Sequence, residues 1–186
     1  MKSKTDQGYT LIEFMVVFAL ILVVAGFAIP GIQSAVQHSR VETAAQTATF
    51  EIRRARQLAM DHRRVHTITF TAPRTVTIER QETGGNPPTQ ISQIQLSPDI
   101  AFNRNTVSTN PDQLVSSLAI DFNGAIFVRF NPDGSAVDAS GQICNGLVFI
   151  SRPGDVNSTR ATTLFGSTGR VRGFRHAQKN GIWGWQ

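Results

Sequence analysis

The sequence predicts an α+β fold, a long N-terminal helix packed on an antiparallel β-sheet head of seven or eight short strands. Three observations predict it. Residues 9–32 form an apolar run interrupted by a single charge, Glu13. Apolar residues then recur at spacings of three and four up to about His62, the period of one helical face. From Val65 onward the pattern switches to alternation, with threonine and isoleucine prominent and glycine- or proline-bearing turns between short runs.

The apolar run comes first. About twenty residues of helix cross a hydrocarbon core of ~30 Å, and residues 10–29 meet that length. Glu13 then needs a reason, because an ionised side chain at mid-bilayer costs roughly 2.5–3.5 kcal/mol on insertion scales. A plain anchor, with Glu13 near enough to one end to reach the interface, is one reading. A secretory signal peptide is another, since Lys2 and Lys4 make a basic start. The run exceeds the usual apolar region of ~7–15 residues, however, and no A-x-A-like cleavage site follows it. The small-residue break precedes it, at Gly8.

Pro30-Gly31 predicts a kink or a locally melted segment, because proline removes a backbone hydrogen bond and clashes with the preceding turn. The helical pattern resumes over 33–62 as an amphipathic continuation. Val41, Ala45, Ala48, Ile52, Ala55 and Ala59 share one face, mostly alanine, so a packing partner can come close. Arg40, Glu42, Glu51, Arg53, Arg54, Arg56 and Asp61 fall on the other faces. A helix from Tyr9 to about His62 would be roughly 80 Å long.

The head, 63–186, opens with two alternating runs, 65–71 and 74–81, joined by a short turn as a hairpin. Further strands are expected at 91–96, 118–122, 125–130, 146–151, 162–165 and 170–174. Asn123-Gly124 is a strong hairpin turn, and Asn131-Pro132-Asp133-Gly134 is a second turn. The polar stretch 102–113 reads as a flexible excursion.

Composition narrows the function. The chain has 186 residues, enough for one head domain plus an anchor. Its one cysteine, Cys144, rules out an intrachain disulfide, and with His38, His62, His66 and His176 it makes no metal-ligand spacing. The reading is a buried thiol, surface histidines and no cofactor. An enzyme is not indicated: there is no phosphate-cradling glycine loop and no G-x-S-x-G. The net charge of +5 is unevenly spread: residues 67–150 hold four basic and seven acidic side chains, and residues 151–186 hold six basic and one acidic. A basic tail behind an acidic middle points to an anionic partner at the C-terminal end, against the plainer reading of a solvated rim.

A short basic leader ending in Gly8, then Tyr9-Thr10-Leu11-Ile12-Glu13, then an unbroken apolar helix, resembles the class III leader of type IV pilins and pseudopilins. Tyr9 stands where phenylalanine is usual and keeps the aromatic ring. The resemblance implies a leader at 1–8, removed by a prepilin peptidase between Gly8 and Tyr9, with N-methylation of Tyr9. It implies a transmembrane and filament-core helix at 9–32, and a single-pass inner-membrane protein with a periplasmic head. Glu13 would pair with the terminal amine of a neighbouring subunit during filament assembly. That pairing has a physical logic: either charge buried alone is strongly destabilising, while the two together offset much of the penalty, so the pair checks register.

Over residues 118–175 the order of strands and turns is similar to the FimT/GspH-like minor pilins and pseudopilins. In the FimT-like DNA-uptake pilins a G-R-x-R motif is tied to DNA binding, and here it stands as Gly169-Arg170-Val171-Arg172. On a strand Arg170 and Arg172 share a face about 6.5–7 Å apart, a spacing that suits successive phosphates. Arg175, His176 and Lys179 extend the charge, and Trp183 and Trp185 offer faces for base stacking. By the same logic Arg53 and Arg54, on the helix, would matter much less. Edge-strand arginines also serve to block unwanted strand pairing, and the tryptophans could equally close the core. Three readings stand: a DNA-binding minor pilin, a minor pseudopilin of a type II secretion system without DNA binding, and a minor pilin that only primes assembly. Intact-mass analysis of membrane-extracted protein should show a chain beginning at methylated Tyr9. An intact Met1, or cleavage after Pro30, would remove the pilin reading.

Overall fold

The computed structural model describes the chain from Thr10 to Lys179 and from Ile182 to Gln186, with backbone alone at 27–34, 178–179 and 182–183. The leader, Gly8 and Tyr9 lie outside the described residues. Two compact units are present, residues 1–38 and 39–186. One helix, α1, runs Leu11–His62. Within the first unit the side chains from Leu11 to Gly26 are all exposed. The backbone stays helical through Pro30-Gly31, where a kink or melted segment is expected, so the lost hydrogen bond does not end the helix. Among the described residues no helix is long and apolar enough to cross a membrane, and the expected span at 9–32 includes Tyr9 and side chains outside that description.

In the second unit α1 ends where the sequence places its end. Arg63 takes a left-handed conformation (φ 51°), and the Arg64 N–H donates to the Ala59 carbonyl at 3.2 Å. That six-to-one bond closes the last turn in the manner of a Schellman cap, with arginine in the place glycine usually fills.

Among the described residues ten strands follow: β1 (His66–Thr71), β2 (Thr75–Arg80), β3 (Thr89–Gln95), β4 (Ile120–Asp121), β5 (Phe127–Phe130), β6 (Ala136–Val137), β7 (Gly146–Ile150), β8 (Arg160–Phe165), β9 (Arg170–Lys179) and β10 (Ile182–Trp185). They form two antiparallel five-stranded sheets, in the orders β3-β2-β1-β5-β6 and β10-β9-β8-β7-β4. The sequence predicts one sheet of seven or eight strands. It misses the two-residue β6, which carries no alternation to detect, and β10, whose Trp-Gly-Trp reads as tail.

The core lies between α1 and the inner faces of both sheets. Val41, Ala45, Ala48, Ile52, Ala55 and Ala59 are all buried there, as the spacing predicts, and Ala44 joins them. They meet Ile68, Phe70, Val128 and Phe130 of the first sheet and Val148, Ile150, Leu164 and Val171 of the second. Glu51 departs from expectation: it is buried and ion-paired with Arg54 at 3.4 Å. Cys144 is buried, and burial pushes its thiol up to about 11.

The second sheet is covered on both sides. Every residue of β7 is buried, because its outward side chains Leu147 and Phe149 pack with Ala161, Leu114, Phe174 and Trp185. Much of that cover comes from the segment expected to be flexible. The Arg104 guanidinium lies 5.2 Å over the Phe149 ring and bonds the carbonyls of Val107, Ser108 and Ser116. Asn105 donates to the carbonyl of Asp155, and Asn110 to those of Leu114 and Ser116. The segment is polar because its side chains satisfy backbone carbonyls, both nearby and at Asp155, which a composition argument reads as solvation.

Two histidines expected at the surface are buried, His66 and His176. Burial lowers both below the usual imidazole value. The His66 Nδ1 lies 3.0 Å from the Arg64 carbonyl, and Nε2 is buried with no acceptor among the described residues, so a second proton would be orphaned there. Folding therefore favours the neutral ring. The stability it contributes is fully present above about pH 6.5 and is lost as pH falls toward the lower folded value. Melting temperature should be flat from pH 8 to 7 and decline toward pH 5, and His66→Gln should make the decline shallower. An unchanged slope in that variant would refute this.

Candidate functional site

At the start of α1 the local structure gives Glu13 a role within its own helix. Thr10 is the N-cap: its Oγ1 accepts from the Glu13 N–H at 3.3 Å, and its carbonyl accepts from Phe14 at 3.2 Å. Thr10-Leu11-Ile12-Glu13 therefore has the spacing of a capping box, with the acid at the third helical position, favoured by the helix dipole. Sequence reasoning missed this, although the T-x-x-E signature was in the quoted motif. The Glu13 carboxylate is exposed in the isolated chain.

The basic tail sits on β9, which pairs with β8 in the register Phe165↔Arg170, Thr163↔Arg172 and Arg160↔Arg175. Arg170 and Arg172 share the outer face of the second sheet, as predicted, and both are exposed. Arg170 lies 4.7 Å over the Phe165 ring and pairs with no carboxylate among the described residues. Arg172 lies 5.2 Å over Phe174 and is ion-paired with Asp112 at 2.9 Å. The other oxygen of Asp112 accepts from Thr163 at 2.7 Å. Part of the phosphate-binding capacity of Arg172 is thus already occupied by the chain's own acid. No sequence signal marks this, since the partners are sixty residues apart.

Arg175 points to the opposite face, toward α1, and is exposed beside a cleft of about 360 Å³. Arg160 belongs to that face but is buried and bound to Glu42 at 3.0 Å. The Lys179 and Trp183 side chains lie outside the described residues. Trp185 packs on Phe149 and His176, with ring centroids 5.7 and 5.0 Å away, and donates its indole N–H to the Thr109 carbonyl at 3.2 Å. It holds the loop to the sheet, which answers the choice between stacking a base and closing the core.

Gly169 has a structural reason of its own. Its φ is +61°, and a Cβ there would lie 2.3 Å from Arg56 Nε and 2.5 Å from the Gly134 carbonyl. The close approach it permits is to α1 and the β5–β6 turn, where Arg56 donates to the Gly134 carbonyl at 3.1 Å, rather than to a ligand. Gly169→Ala should destabilise the protein by at least the ~1–3 kcal/mol of a strained backbone position, read as a fall in melting temperature. Arg170→Ala, a solvent-facing change, should cost under ~0.5 kcal/mol. Equal melting temperatures for the two variants would return Gly169 to the ligand-binding motif.

Comparison with known proteins bears on both ends. Residues 3–29 match the family model described as the prokaryotic N-terminal methylation motif. No curated protein matches the chain. The chain resembles the crystal structure of the type IV minor pilin FimU of Pseudomonas aeruginosa strain PAO1 in space group P21, with a TM-score of 0.50 and 11% identity, over 78% of this chain and 93% of that one. The P65 crystal form of the same protein gives 0.49 and 11%, over 77% and 96%. At that identity the likeness is one of fold. In its N-terminal motif and in its fold, the chain is type IV pilin-like.

Proposed function

We propose that this chain is a minor subunit of a type IV filament. In this reading it is assembled from the inner membrane after cleavage between Gly8 and Tyr9 and methylation of Tyr9, and it has no enzymatic activity of its own. The observation that carries the reading is the methylation-motif match at residues 3–29 on a chain whose head has the FimU-like arrangement of helix and sheets. Prepilin peptidase and other pilin subunits are its partners. Glu13, free of the helix core and next to the new terminus, is the group that registers one subunit against another.

The head's ligand in this reading is DNA, contacted through phosphates by Arg170 and Arg172 on one exposed face, with Arg175 and Lys179 further along the strand. Gly169 contributes by shaping the turn. Binding of this kind depends on salt and ignores sequence. A second reading has an observation in its favour. Asp112 holds Arg172, and Gly169 is needed by the fold, so part of the G-R-x-R pattern is explained without DNA. That favours a GspH-like minor pseudopilin of a type II secretion system, whose head contacts protein.

Two measurements test these roles. Glu13→Gln should insert into membranes normally but enter filaments poorly, and wild-type incorporation would remove the register role. Full-length processed chain in detergent micelles should shift double-stranded DNA at low salt with an affinity near the non-specific range of ~10⁻⁴–10⁻⁶ M. Arg170→Ala with Arg172→Ala should abolish most of that binding without unfolding the head. No shift by the wild type, or none lost in the double variant, would leave the secretion reading.

A further inference from the structure

Strand β9 is paired on both sides along only part of its length. Beside β10 it is covered from His176 to Lys179, and Arg175 exchanges two backbone hydrogen bonds of 2.9 Å with Gln186. From Arg170 to Phe174 it pairs, among the described residues, with β8 alone. Backbone direction alternates along a strand. The N–H and carbonyl of Arg175 point away from β8, while His176 donates toward Thr159 on the β8 side. Val171 and Gly173 therefore present their backbone groups outward at an open edge, about 6.5–7 Å apart.

One of those groups is already claimed from the helix. Arg53 Nη2 donates to the Val171 carbonyl at 3.1 Å. This brings a guanidinium to the edge and covers the carbonyl oxygen that would otherwise repel an anion. A guanidinium has five N–H donors, so this bond leaves most of its capacity open, and Arg53 is exposed. The neighbouring position offers room. Gly173 has no side chain, and a Cβ there would meet nothing closer than Thr49 Oγ1 at 3.8 Å. The cleft beside it is walled by Phe50 and Arg53 from α1 and by Arg175 from β9. Arg170 and Arg172 flank the same edge on its outer face. Of these four guanidinium groups only Arg172 is paired with a carboxylate among the described residues. Glu42 also lines that cleft, but its carboxylate is held by Arg160 at 3.0 Å, so the charge left over on both flanks is positive, which selects a polyanion over an incoming peptide strand.

We propose that Arg53 of α1 is a phosphate-binding residue, and that a DNA backbone crosses the open edge of β9, gripped from both sheet faces, rather than lying on the outer face alone. This rests on the DNA reading above and reverses the expectation that the helix arginines are bystanders. Arg54 is the internal control. It sits one residue away but bonds Glu51 and Ser92, away from β9.

The test uses full-length processed chain in detergent micelles and a labelled double-stranded oligonucleotide, with affinity measured across a salt series. Arg53→Met keeps the aliphatic stem and removes the charge. It should weaken binding roughly fivefold near 0.1 M salt and make the slope of log K against log salt shallower by about 0.9, the loss of one phosphate contact. Arg53→Lys should restore most of both, and Arg54→Met should change neither. Melting temperatures confirm that the variants fold. Wild-type slope and affinity in Arg53→Met, with binding still lost in the Arg170/Arg172 double variant, would overturn the proposal while sparing the DNA reading, and would hand the edge to a strand from a protein partner. Weaker binding with an unchanged slope would also overturn it, by making Arg53 a structural brace. If the wild type binds no DNA, the DNA reading itself falls.

Discussion

The close approach of α1 to two sheets at once is the constraint on which the head depends. A stripe of five alanines with Val41 and Ile52 lets the helix backbone come near both inner faces, where larger side chains would hold it off. Phenylalanines supply the bulk from the sheet side: Phe70 stacks on Phe122 at 5.6 Å and meets Phe102 edge-on at 5.6 Å. Small residues on one partner and large ones on the other give interior packing density without strain. Gly169, Arg56 and the β5–β6 turn are set by the same closeness, because the helix leaves no space for a Cβ where β9 begins.

Much of this was legible in the sequence. The helix face, the helix end at His62 and most of the strands follow from periodicity and turn chemistry, which are local properties. The Asn123-Gly124 turn also forms, with both residues at positive φ and a single bridge between Phe122 and Ala125, but the expected hairpin does not, because β4 pairs with β7 and β5 with β1 and β6, in different sheets. The continuous apolar run of β7 also carried a message, since a strand apolar at every position is covered on both faces. What stayed hidden depends on contacts between distant segments. The 102–113 stretch looks solvated because it is polar, yet Arg104, Asn105 and Asn110 spend that polarity on backbone carbonyls. The division into two sheets cannot be read from strands that each carry the same alternation.

The site divides the same way. Arg170 and Arg172 on one exposed face follow from a period of two. That Asp112 engages Arg172, that Arg53 engages Val171, and that Arg160 is buried against Glu42 are tertiary facts, and they change which cations are available. Counting charges in the tail gives the sign of the field but not the number of guanidinium groups able to grip a ligand. Glu13 shows the converse. Its backbone partner in the isolated chain, Thr10, is three residues away, so the T-x-x-E spacing alone carries that contact.

The contacts of Trp185 with Thr109 and of Arg172 with Asp112 tie three remote stretches of chain, the 103–117 loop, the middle of β9 and the final strand, into a single clasp over β7. Such a clasp has its own cooperativity. Freeing the last strand exposes the Phe149 ring and removes the indole donor that holds the loop, while lifting the loop releases the arginine. Amide protons in the three stretches should therefore exchange with solvent together, as one sub-global opening that leaves the helix and the first sheet closed. The basic surface of this protein is in that sense a panel latched over β7 on its outer side, while Val171 on the inner side of the same strand belongs to the core.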